Sequence, residues 1–215
     1  MESPKLLFLQ GGWSGHKPEQ VVDKFRLGMR GLGWQTETVT SLERLAEVDW
    51  LRTFDLISPC WTMGSLKAEE SAGLREAVRA GTGLGGIHGG MGDAFRGDLD
   101  YEWMVGGHFV GHPHVGEYKI HVTDPSHGIM RGLPAEFSYT SEQYYMLVDP
   151  SIRVLARTDY TFEENTCKMP VVWTKNWGKG RVFYSALGHD PVELEKWPHV
   201  FEMSLNGMLW AGRVL

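Results

Sequence analysis

Short apolar runs and amphipathic stretches take turns through the first ninety residues, and that alternation limits the fold more than any other feature of the chain. Residues 6–9 form an apolar run. Residues 18–32 then carry Val21, Val22, Phe25, Leu27 and Met29 at roughly helical spacing, with Pro18 suited to a helix start. Gly31 and Gly33 end that helix, residues 34–39 alternate as a strand, residues 54–57 make a third strand, and residues 67–80 a second amphipathic helix. Residues 84–87 supply a fourth strand. Strands separated by helices of this length need right-handed crossovers, so the first half predicts a parallel sheet.

The second half follows another rule. Strand candidates at 115–122, 145–148, 152–158, 170–175 and 181–186 succeed one another with few helices between them, and the turn-rich stretch 176–180 predicts a hairpin. An apolar helix over 199–210 closes the chain. The expected fold class is α/β, with a mostly parallel central sheet and additional antiparallel strands in the second half. No repeat and no Ser/Pro-rich or highly charged linker divides the 215 residues, so one domain spanning 1–215 is expected.

Composition narrows the partners. The formal net charge of −6, with no run of Lys or Arg, argues against nucleic acid and anionic membrane and favours a small ligand. Residues 1–5 carry no basic leader, the apolar run at 6–9 is too short for a signal peptide, and no stretch approaches the ~20 apolar residues of a membrane span. Cys60 and Cys167 form neither a disulfide framework nor a Cys-x-x-Cys metal site. A cytoplasmic protein is expected, and association into a homo-oligomer stays open.

In open parallel sheets, ligands bind in the crevice beyond the carboxyl ends of the strands. Three histidines fall at such ends: His16 after the first strand, His88 after the fourth and His189 after the strand at 181–186. His88 sits within Gly86-Ile87-His88-Gly89-Gly90, the pattern of a nucleophile elbow, in which glycines let the chain reverse sharply and push the central side chain into a crevice. Imidazole forms no acyl intermediate of the Ser or Cys type, but it serves as base, proton shuttle or metal ligand near neutral pH. The plain alternative is a glycine-rich turn with an incidental histidine.

Residues 86–90, Gly107-His108-Phe109 with His112-Pro113, Ser141-Glu142-Gln143-Tyr144, and the stretch 170–190 together resemble the ThuA-like, or trehalose-utilisation, family, and the likeness covers nearly the whole chain. The resemblance implies a flavodoxin-like three-layer sandwich related to class I glutamine amidotransferases, usually without their cysteine. It also implies a role in carbohydrate catabolism, on trehalose or keto-sugar derivatives. On that template His88 takes the position of the amidotransferase cysteine, and His189-Asp190 resembles the His-x-Glu end of the triad with the acid moved next to the histidine. Thioester chemistry needs a thiolate at the elbow, and neither cysteine lies there, so glutaminase activity is not expected.

The expected catalytic residues are His88, His189, Asp190 and Glu142, the last as acid or base if partly buried. Trp13, His16, Trp61, Gly89, Gly90, His108 and Tyr144 are the expected sugar-binding residues. Residues 106–114 hold His108, His112 and His114 in what reads as a loop before the strand at 115; these either serve a ligand or cap backbone groups. His16, His88, His108 and His112 are candidate ligands for a divalent metal such as zinc, although no recognised metal motif is present. His121, His127 and His199 read as core or surface. An enzyme of isomerase, lyase or hydrolase type acting on a sugar is the first expectation. A non-catalytic sugar-binding or regulatory protein that retains the crevice is the alternative.

Overall fold

The computed structural model describes residues 3–215; Met1 and Glu2, part of the stretch read for a leader, lie outside the described residues. The parallel strands are β1 (Lys5–Gly12), β2 (Gln35–Val39), β3 (Leu56–Thr62) and β4 (Gly83–Ile87). Between them run α1 (Pro18–Gly31), the single turn α2 (Val48–Leu51) and α3 (Ala68–Ala80). After β4 come α4 (His88–Gly92) and α5 (Leu99–Val105), then the long strands β5 (Gly107–Val122), β6 (Glu136–Val148), β7 (Arg153–Phe162) and β8 (Asn165–Trp177). β9 (Gly180–Ser185), α6 (Pro191–Lys196) and α7 (Pro198–Ala211) complete the chain.

These nine strands form one sheet in the order β2-β1-β3-β4-β9-β8-β7-β5-β6. The first five are parallel to one another, and from β9 onward every pairing is antiparallel. The chain steps one way from β1 to β2 and the other way from β3 to β4. Right-handed crossovers therefore put α1 and α3 on opposite faces, and the direction reverses between β1 and β3. Such a reversal opens a crevice at the carboxyl edge.

Burial follows from the periodicities. α1 turns Val21, Val22, Phe25 and Met29 inward, one face of a 3.6-residue repeat, while Leu6, Leu7, Phe8 and Leu9 of β1 are all buried because helices cover both faces of the parallel strands. Among the described residues no helix is long and apolar enough to cross a membrane.

Several boundaries differ from the sequence reading. β3 continues through Ser58, Pro59, Cys60 and Trp61 instead of stopping at 57. A proline inside a strand flanked on both sides is unusual, because it has no N–H for the ladder. β3 and β4 pair only at Leu56–Gly83 and Ile57–Leu84, so the two strands have parted before Pro59 is reached. Residues 107–114 are not a loop: they belong to β5, which crosses two register shifts, between Phe109 and Gly111 and between Gly111 and His114. β6 likewise begins at Glu136, which puts Glu142 and Tyr144 on a strand. The short helices α4, α5 and α6 carry too few turns to show a period.

Candidate functional site

The turn at residue 88 has the geometry of an elbow. β4 ends at Ile87, α4 starts at once, and His88 takes φ +45°, a left-handed conformation that non-glycine residues adopt only under constraint. Its backbone carbonyl accepts a hydrogen bond from Tyr184 Oη at 3.2 Å. The side chain is 2% exposed.

The other two strand-end histidines meet it. His16, in a 3-10 turn after β1, and His189, after β9, pack their rings edge-on against His88 and against each other, with centroids 4.8–5.1 Å apart. Gly89 permits this approach, since a Cβ there would fall 2.3 Å from His16 Cε1. His16 Nδ1 bonds Thr62 Oγ1 at 2.7 Å, and Tyr144 Oη bonds His88 Nδ1 at 2.9 Å.

The carboxylate comes from across the sheet. Glu142 and Tyr144 lie two apart on β6 and so share a face. Glu142 Oε2 is 3.5 Å from His189 Nδ1 and 3.7 Å from His88 Nε2, and its Oε1 is 3.6 Å from His112 Nε2. Tyr118 Oη donates to the Glu142 carbonyl at 3.2 Å. One potential ligand atom from each of His16, His88, Glu142 and His189 lies within 4.8 Å of every other.

Charge is distributed unevenly among them. Burial, with His16, His189 and His112 adding, holds the His88 pKa well below the ordinary imidazole value. Burial and the neighbouring His189 bring His16 down to about 4. His189 goes the other way, because Glu142 stabilises its protonated form. Burial opposes ionisation of Glu142, yet His189, His112 and His16 together keep its carboxyl below the usual range. The four groups thus divide into a His189–Glu142 edge that favours the ion pair and two imidazoles, His16 and His88, shifted toward the neutral form.

The void beneath the rings, lined by His16, Cys60, His88 and His189, is about 10 Å³, room for roughly one water. Glu142 and the half-exposed His112 border the cluster on another side. Trp13, 47% exposed, packs its ring edge-on to His16 at 4.8 Å.

Three expectations need correcting. Asp190 does not serve the histidine beside it: it caps α6 through Glu193 N at 3.0 Å and pairs with Lys17 Nζ at 2.7 Å. His189 finds its acid in Glu142, while Glu193 Oε2 accepts from the His189 backbone N–H. His108 is not at the crevice; its Nδ1 is 3.1 Å from Glu102 Oε2, in a cleft of about 340 Å³ lined also by Leu99, Trp103, Leu147 and Asp149. The metal set His16, His88, His108 and His112 thus does not converge, since two of its members lie outside the cluster of four. Trp61 packs over Gly11 and Gly64, where added Cβ atoms would fall 2.5 and 2.7 Å from its ring. Gly90 lies over Cys60, where an added Cβ would fall 3.1 Å from the Cys60 Cα, and serves packing. His114 bonds the Glu117 carbonyl at 3.2 Å.

Thr62, Tyr118 and Tyr184, which orient the site, went unnoticed in the sequence. Each is an ordinary strand residue without a distinguishing neighbour pattern. Cys60 lies under the elbow, its Sγ 3.7 Å from the Pro18 carbonyl, and burial pushes its thiol up to about 12, so it offers no thiolate.

The fold recurs in solved structures. A ThuA-like protein from Bacteroides uniformis superposes with TM-score 0.79 at 18% identity, covering 98% of this chain and 93% of that one. A ThuA-like protein from Parabacteroides merdae gives 0.75 at 19% identity, over 98% and 90%. A GH42 β-galactosidase from G. stearothermophilus is similar over 94% of this chain but only 30% of its own, at 17% identity and TM-score 0.56. No curated protein matches the chain. The model of the family described as "ThuA: Trehalose utilisation" matches residues 5–211. With nearly its whole length matched, the chain belongs to the ThuA family, and a carbohydrate-related role follows from that membership.

Proposed function

We propose that this protein is an enzyme of carbohydrate catabolism that moves a proton next to a carbonyl of a sugar or keto-sugar derivative, in an isomerisation or elimination. The observation that carries the reading is the Glu142–His189 pair, held against two neutral imidazoles at the mouth of a crevice open to small ligands. Glu142, as carboxylate, takes the proton from carbon. His189, protonated by its pairing, donates to the developing oxyanion. His88 and His16, kept uncharged by burial, offer N–H or lone pairs to the substrate oxygens without competing for the proton. Trp13 and His112 flank the entry, where an aromatic face and a donor suit a sugar ring.

We infer that the crevice is that of the amidotransferase-like, flavodoxin-like superfamily with its nucleophile exchanged. Histidine at the elbow and a protonated Cys60 beneath it leave no group for a thioester, so glutamine is not hydrolysed. The partner is a small carbohydrate in the cytoplasm, with neither nucleic acid nor membrane in the reaction.

The test is turnover of a panel of keto-sugars and trehalose derivatives by the unmodified protein and by His88→Ala and His189→Ala. A loss of about 10²–10⁴-fold in both variants is expected. Unchanged turnover in both would sink these roles. Sugar binding with no turnover by any protein would favour a sugar-binding or regulatory protein instead.

A further inference from the structure

The geometry points to a divalent first-row transition ion held by His16 Nε2, His88 Nε2, His189 Nδ1 and Glu142 Oε2, a different ligand set from the one that histidine density suggests. The site is the one read above for carbohydrate chemistry, and the inference rests on that reading for its substrate class; with an ion bound, His189 and Glu142 would serve as ligands in place of the donor and base roles given them there.

Three observations converge. First, His88 Nε2 and His189 Nδ1 are buried and lack hydrogen-bond partners among the described residues, and both face the same carboxylate oxygen at 3.5–3.7 Å. An unpaired buried polar atom costs about 1–3 kcal/mol, so two of them aimed at one point call for an occupant. A proton shared by His189 and Glu142 satisfies one of the pair. It leaves His88 Nε2 without a partner.

Second, the distances fit an ion. Ligands about 2.0–2.1 Å from a tetrahedral centre stand roughly 3.3 Å apart. The two measured edges exceed that by a few tenths of an ångström, and one ligand atom from each of the four residues lies within 4.8 Å of the others.

Third, the outer nitrogens are already engaged. His16 Nδ1 has Thr62 Oγ1 at 2.7 Å, and His88 Nδ1 has Tyr144 Oη at 2.9 Å. Each hydroxyl can accept from Nδ1–H, the tautomer that turns the Nε2 lone pair toward the centre, and outer partners of this kind orient metal-binding imidazoles. Gly89 adds the backbone condition, since any side chain there would push His16 off the point where the three rings meet.

Three imidazoles and one carboxylate suit zinc, cobalt, nickel, iron or manganese and disfavour magnesium and calcium, which take oxygen ligands. A fifth ligand position would face the Glu142–His112 opening, where a carbonyl or hydroxyl oxygen of a sugar could coordinate. Proton transfer would then pass to His112, beside the second oxygen of Glu142.

The experiment is titration of the untagged, chelator-dialysed protein with Co²⁺ and Zn²⁺, followed by visible absorption for cobalt and by calorimetry and elemental analysis for both. One equivalent of ion per chain is expected, with the intense d–d bands of a low-coordinate cobalt site. Affinity should fall at least 100-fold in His189→Ala and in Glu142→Gln, and stay unchanged in His108→Ala. Circular dichroism and thermal melting would verify that these variants fold; Glu142→Gln, nearly isosteric, keeps the test alive if His189→Ala does not. Absence of stoichiometric binding, or binding that survives both ligand substitutions or depends on His108, overturns the proposal. Loss of the metal reading with keto-sugar turnover intact leaves the proposed function standing. Stoichiometric, ligand-dependent binding without turnover of any sugar supports the metal site and removes the enzymatic reading.

Discussion

The parallel and antiparallel halves of the sheet handle their polar side chains in opposite ways. In the parallel half, β1, β4 and β9 end at one edge, and the residues just beyond those ends, His16, His88 and His189, are thrown together with little charge between them. In the antiparallel half, polar groups sit along the strands and pair with neighbours, as Lys119 does with Glu136, Arg153 with Asp124, and Lys175 with Asp149. One half gathers imidazoles at a point; the other spreads its ion pairs across the strands and turns. The site forms where the second contributes to the first, because β6 alternation presents Glu142 and Tyr144 to His88. His189 comes from the first half and its carboxylate partner Glu142 from the second.

That division is broken most severely at Glu142. Glu142→Gln keeps the shape but removes the anion that holds His189 protonated, and turnover should fall about 10²–10⁴-fold, as much as in His189→Ala. The double variant should be little worse than either single one, since the two act as a unit. Additive losses in steady-state kinetics would show that the antiparallel half supplies something besides the partner of His189.

Next comes Gly89→Ala, which attacks the convergence of the three rings. The new Cβ would lie 2.3 Å from Cε1 and 2.7 Å from Nδ1 of His16, the nitrogen that bonds Thr62, so overpacking should cost about 3 kcal/mol, disturb that hydrogen bond and separate His16 from His88. Chemical denaturation checks the stability. A fully stable Gly89→Ala protein would mean that His16 moves more freely than its contacts indicate.

Topology explains which parts were legible in the sequence. Strand-end histidines can be predicted because a parallel sheet forces its carboxyl ends onto one edge; the period of α1 and the turn glycines around His88 made that edge readable. β3 runs beyond 57 through Pro59, since a strand proline is excluded only where a neighbour needs its N–H, and β4 has already parted from β3 there. The resemblance to the triad end offers Asp190 beside Glu142 as the acid, but the Asp190 carboxylate caps α6 and pairs with Lys17. The acid that matters lies on a strand separated from β9 in the sheet by β5, β7 and β8, and no local spacing encodes that contact.

The antiparallel half can be tested for the opposite property, stability carried by paired charge. Asp149 accepts from Lys175 Nζ at 2.5 Å, Trp103 Nε1 at 3.1 Å and Ser151 N at 2.8 Å. Burial opposes its ionisation, but Lys175 and Ser151 bring the carboxyl down from 3.8 to about 2. Because the folded-state value is depressed, the stabilisation is present above the unfolded value of 3.8 and is lost as pH falls toward 2. It amounts to about 2 kcal/mol. Asp149→Asn should lose that amount at pH 7 and show a flatter decline in denaturant midpoint between pH 4 and pH 2. An unchanged slope would mean that Lys175 finds another partner.

The smallest effect is predicted at His108, and it sharpens the comparison most. In sequence His108 and His112 look like one cluster, and a regular strand would put both on the same face. One register shift between them, from Phe109 to Gly111, and a second that spans His112, from Gly111 to His114, break that alternation: His112 reaches Glu142, while His108 turns to Glu102, 3.1 Å away beside α5. A half-exposed pair of this kind contributes about 0–1 kcal/mol. His108→Ala should therefore melt within a degree or two of the parent and turn over sugar at the parental rate, whereas His112→Ala should slow it. Equal losses in the two variants would mean that β5 runs in register in solution. The crevice would then recruit its histidines by their spacing along the chain, and the bulges would have no part in sorting them.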